Sequence, residues 1–127
     1  MPKNLGSSLG SLVQSFFCQR LLAQQHASPH TVASYRDTLR LLLSFVRQQR
    51  GRAPSQQSLA DWDAPTILAF LDYLEQARGC QIRTRNARLA ALRAFAHHVV
   101  QQAPEALAQT SRILAIPLKR YTRRLVQ

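Results

Sequence analysis

Apolar residues return every three or four positions in five separate stretches, the spacing of one buried helical face, and no stretch alternates with the two-residue period of a strand. The first stretch is SLGSLVQSFFCQRLLAQQ, where Leu9, Leu12, Val13, Phe16, Phe17 and Leu21 mark an amphipathic helix. The second opens on Ser28 and Pro29, an N-cap followed by proline at the first helical position, and carries Val32, Tyr35, Leu39, Leu42, Leu43 and Val46. A polar loop, QQRGRAPSQQS, separates it from a third helix that begins at Asp63, Ala64 and Pro65 and buries Ile67, Phe70, Leu71 and Leu74. Trp62 is placed to staple the start of that helix, and Gly79 to stop it. The fourth runs from Ile82 to about Gln102, and a short fifth follows Pro104, with Leu107, Ile113 and Leu114 as its buried residues. The pattern predicts an all-α fold: a compact bundle of four to five helices with a basic C-terminal tail. Residues 1–6 are expected to be a flexible N-terminus, 7–116 the helical domain and 117–127 the tail.

The fourth stretch, residues 82–100, reads IRTRNARLAALRAFAHHVV and is basic first and apolar afterwards. Its stripe of Leu89, Leu92, Phe95, Ala96 and Val99, carried back at the helical period, reaches Arg88 and Arg85. The expectation is a helix buried at its C-terminal end, whose first turns project beyond the core and present Arg83, Arg85 and Arg88, with Thr84 and Asn86 between them. Cations at a helix N-terminus oppose the macrodipole by a few tenths of about 1 kcal/mol each. Local stability therefore does not account for these arginines, whereas an anionic partner would.

Charge strengthens that inference. In 127 residues there are 17 Lys+Arg against 6 Asp+Glu, a formal net charge of +11. Nucleic acid, an anionic membrane or an acidic protein is the partner class this implies. From Gln76 onward Glu105 is the only acid, against Arg78, Arg83, Arg85, Arg88, Arg93, Arg112, Lys119, Arg120, Arg123 and Arg124. Asp61, Asp63, Asp72 and Glu75 come earlier and read as a solvated helix start and face. In the second helix Arg36, Arg40 and Arg47 follow one edge of the core stripe; Arg36 and Arg40 repel as an i,i+4 pair.

Several residues invite quieter readings. Tyr35 lies on the core stripe and is expected to pack, with its hydroxyl reaching out. Thr31 is placed to close the cap of the second helix, and Arg93 to pair with Asp72 or Glu75. His97 and His98 point about 100° apart and read as surface histidines that share no metal. Cys18 and Cys80 form no CxxC pair and read as free buried thiols of a reducing cytosol. The longest apolar run, residues 41–46, is far too short to span a bilayer, and no secretory h-region is present; a cytoplasmic location is expected, with no membrane, metal or cofactor involved.

SPHTVASYRDTLRLLLSFV, ILAFLDYLEQARG, TRNARLAALRAFAHHV and RILAIPLKR, in that order, resemble the N-terminal core-binding (SAM-like) domain of tyrosine recombinases and phage integrases, over nearly the whole chain. The resemblance implies one jaw of a clamp on double-stranded DNA, with the second and fourth helices at the major groove and a linker crossing the backbone. By position, the DNA-binding residues it implies are Thr31, Tyr35, Arg36 and Arg40, then Arg83, Thr84, Arg85, Asn86 and Arg88, and finally Lys119 and Arg120 in the linker. It also implies a catalytic domain of the same recombinase beyond the tail, oligomerisation on DNA, and chemistry located wholly in that other domain. No catalytic residue is expected here; Tyr121, among its basic neighbours, lacks a His or Lys constellation of its own.

Two other classes remain open from the residues. RGCQ between the third and fourth helices is short enough for a helix-turn-helix regulator. The other is a helical protein-interaction module whose charge meets an acidic partner or a membrane surface.

Overall fold

The computed structural model describes residues 8–120. The tail expected at residues 1–6 and the residues Tyr121, Arg123 and Arg124 lie outside them. Within them the chain forms five α-helices and no strand: α1 (Leu9–Ser15), α2 (Pro29–Arg50), α3 (Ala64–Gln76), α4 (Ile82–Gln102) and α5 (Leu107–Leu114).

Helix ends follow the local chemistry. Ser8, Ser28 and Asp63 each accept a hydrogen bond from a backbone N–H in the first turn of α1, α2 and α3. Gly51 ends α2 in the left-handed region at φ 69°. After α3, Gly79 takes φ 68° while Cys80 N–H reaches back to Leu74 O at 3.0 Å, a six-residue closure that satisfies the last turn. The α3–α4 connection covers residues 77–81, longer than the three- or four-residue turn of a helix-turn-helix.

The first predicted helix exists but changes type midway. Past Ser15 it widens into a π-helix over Phe16–Gln24. Phe16 and Leu21 are both buried, five residues apart, which is the repeat of that hydrogen bonding. Phe16 is the aromatic hub of the core, 5.4 Å from Phe95 on α4 and stacked on Tyr35 of α2 at 6.1 Å. Truncating such a ring costs about 3–5 kcal/mol.

Helix α4 touches every other helix and is the centre of the bundle. Its stripe of Leu89, Leu92, Phe95, Ala96 and Val99 is buried as the pattern predicts. Its first turns do not project beyond the core, because Arg85 is only 8% exposed, enclosed by Glu75 and the segment after α5.

Other expectations are corrected here. Leu107 is 54% exposed; Ile113 is buried as expected, and Ile116 just past the helix joins it in the core. His98 is buried rather than superficial, hydrogen-bonded to Ser15 at 2.7 Å; burial, and then the charge of Arg20, hold its pKa below the ordinary histidine value. Cys18 is exposed and Cys80 partly so, against the expectation of buried thiols. Arg93 donates to Leu114 O at 3.0 Å and not to an acid, because its position on α4 faces the end of α5. Asp61 is buried, held by Ser58 N–H and facing Arg50 and Arg52, so it is not part of a solvated face. Trp62 is buried at the start of α3 and donates its indole N–H to Gln57, whose amide in turn caps Leu43 O.

Candidate nucleic-acid interface

Helix α2 carries its arginines along one edge. Arg36, Arg40 and Arg47 are exposed, and Arg40 and Arg47 hold no hydrogen bond or ion pair among the described residues. The Arg36 guanidinium lies 5.6 Å from the centre of the Phe17 ring, leaning towards the π segment. Thr31 accepts from Ser28 Oγ at 3.1 Å, and its N–H donates back to the same oxygen, so it belongs to the cap. Tyr35 is partly buried against Phe16, as its place on the stripe suggests.

The opposite edge of α2 meets the start of α4 through Arg88. Its Nη1 donates to Thr38 Oγ1 at 3.0 Å and to Ser34 O at 3.3 Å. Thr38 is fully buried and donates its own hydroxyl to Ser34 O at 3.1 Å. Arg88 thus sets the relative placement of the two helices, with part of its side chain still reaching solvent.

Earlier on α4, Arg83 and Thr84 face outward. Arg85 turns inward: Nη1 donates to Pro117 O at 3.3 Å and to Asn86 Oδ1 at 3.2 Å, and Nε lies 3.7 Å from Glu75 Oε1. Asn86 binds the main chain of Lys119 twice, donating to its O at 2.7 Å and accepting from its N–H at 2.8 Å. The Lys119 ammonium bridges both oxygens of Glu75, at 2.9 and 3.1 Å. Arg120 is exposed beside it.

The candidates therefore fall into two sets. Arg36, Arg40, Arg83, Thr84, Lys119 and Arg120 are exposed, while Arg85, Asn86, Arg88, Thr31 and Tyr35 are partly or wholly engaged inside the protein. Glu75, expected on a solvated face, is instead largely enclosed between Arg85 and Lys119, and Ser34 and Thr38, which the sequence did not single out, accept from Arg88. Only Thr38 left a signal, a hydroxyl one helical turn from Tyr35 on the buried side of α2.

Burial, and then the nearby Glu75 carboxylate, push the Cys80 thiol up, so it stays protonated near neutrality. No group of three or more His, Cys, Asp and Glu among the described residues could hold a metal ion. No helix among them is long and apolar enough to cross a membrane.

An all-α domain with a basic surface on two packed helices is the class these features define. Residues 15–103 match the family described as phage integrase, N-terminal SAM-like domain, and the chain belongs to that family. Over 120 residues it is 49% identical to the "Putative integrase/recombinase y4rC" of Sinorhizobium fredii, covering 94% of this chain and 36% of that protein. Over 112 residues it is 46% identical to the "Putative integrase/recombinase y4rD" of the same organism, covering 88% of this chain and 40% of that protein. The chain thus spans well under half the length of these relatives. No solved structure matches it.

Proposed function

We propose that the chain is the DNA-binding, core-binding domain of a tyrosine site-specific recombinase, acting in the cytoplasm on double-stranded DNA and without catalytic residues of its own. The observation that carries the reading is the row of exposed arginines on α2, Arg36, Arg40 and Arg47, together with the exposed Arg83 at the start of α4 and Lys119 and Arg120 after α5. Arg36, Arg40, Arg83, Thr84, Lys119 and Arg120 contact the duplex directly. Arg85, Asn86 and Arg88 hold α2, α4 and the segment from Pro117 in register, so that those contacts arrive together. Thr31 and Tyr35 shape the start of α2 behind them. The segment 117–127 then serves as the linker to a catalytic domain of the same recombinase, a reading supported by the short share of each relative that the chain covers and by their integrase/recombinase names. Assembly into higher oligomers takes place on the DNA.

Pre-organised cations lose little conformational freedom on binding, and each neutralised phosphate releases counterions. The test is an anisotropy titration of a labelled duplex with the wild-type chain and with Arg83→Gln, Lys119→Gln and Arg120→Gln combined. The combined variant is expected to bind every duplex more weakly, roughly uniformly in sequence. Unchanged affinity would move the charge to an acidic protein partner instead.

A further inference from the structure

Beyond Ile116 the described course of the chain is held by polar groups and not by apolar burial. Ile116 is 4% exposed and anchors the helix end, but Leu118 is 52% exposed and holds nothing. Pro117 has no N–H to offer, so the donors of this segment begin at Leu118, and the next one, at Lys119, is used. Asn86 takes that N–H and gives its own to Lys119 O, a two-bond ring like that between paired strands. Arg85 donates to Asn86 Oδ1 in the ring and to Pro117 O two residues before Lys119, while Glu75 draws in the Lys119 ammonium.

We propose that Asn86 is a positioning residue, the centre of a clasp that fixes the path of residues 117–119 against the start of α4, and not a reader of DNA bases. An asparagine reads adenine by using its amide oxygen and nitrogen together. Here both are spent on the Lys119 main chain, with Arg85 sharing the oxygen. The two Asn86 bonds grip backbone and do not depend on the side chain at 119; only the Glu75 contact does. It determines where the Lys119 and Arg120 cations emerge, and the part of this claim that concerns DNA rests on the function proposed above.

Amide hydrogen exchange on the full chain, without DNA, tests it. The Lys119 amide should be protected, and Asn86→Ala should speed its exchange about tenfold or more while the amides of Leu89 and Leu92 keep their rates. Asn86→Asp keeps the acceptor and should retain most of the protection. Free-peptide exchange at Lys119 in the wild type, or no acceleration in Asn86→Ala, overturns the clasp whatever the chain binds. A second arm compares duplexes differing at single base pairs. Asn86→Ala should weaken all of them alike, whereas a loss confined to one base identity would make Asn86 a reader and overturn the assignment.

Discussion

Arg88 offers a sharp test of how the basic surface is built, because its guanidinium joins the two helices that carry it. Arg88→Met keeps the apolar stem and removes the donors to Thr38 Oγ1 and Ser34 O. Bonds from a charged donor contribute about 1.5–3 kcal/mol each when well formed. The 3.3 Å bond to Ser34 O is long and that residue is exposed, so the 3.0 Å bond to buried Thr38 carries most of the effect. A loss of about 1.5–2.5 kcal/mol is expected, which at this chain length lowers Tm by roughly 5–12 °C. Thr38→Val preserves the side-chain shape, removes the acceptor, and should cost about 1–2 kcal/mol. Both changes disrupt one shared contact, so their sum overcounts it, with a coupling energy of about 1 kcal/mol in urea or thermal unfolding of the four proteins. Additivity within about 0.3 kcal/mol would refute the tie between Arg88 and Thr38.

Three further outcomes follow. Changing Arg36, Arg40 and Arg47 together to Gln should leave unfolding free energy within about 0.5 kcal/mol per site, while lowering the slope of log K against log salt by about 2–3 in a duplex titration. His98 is held neutral by burial, so its folded pKa lies below the unfolded value; the unfolded chain then binds more protons between the two, and stability falls as pH drops through about 6.5. Thermal melts across that range should show the fall, and His98→Gln should flatten it. Ile113→Ala should cost about 2–4 kcal/mol, whereas Leu107→Ala, at an exposed site, should cost under about 0.5 kcal/mol in the same denaturation assay.

Local chemistry made much of this fold legible. Ser28 followed by Pro29, Asp63 before Pro65, and Gly79 each mark a helix boundary through a backbone requirement that needs no knowledge of the rest of the chain. The stripe from Leu89 to Val99 likewise reads directly as the buried face of α4. Extending that stripe to Arg85 and Arg88 put them on the core-facing side of α4 but beyond the end of the core, because their acceptors Thr38, Glu75 and Pro117 O lie far away in sequence. Periodicity places a side chain on a face and says nothing of what the face meets. For the same reason Leu107 was expected to be buried, and His98 was expected at the surface although α1 supplies Ser15 to receive it. The π widening at Phe16 left no sequence signal, since its hydrophobic spacing also satisfies an ordinary helix.

The central claim is that this domain grips duplex DNA through a cationic surface. The most direct measurement is the affinity of the 127-residue chain for a labelled duplex across a salt series from about 50 to 200 mM. With about five phosphates neutralised, log K should fall against log salt with a slope of about −4 to −5. Absence of binding at the lowest salt, or a slope near zero, would contradict the claim.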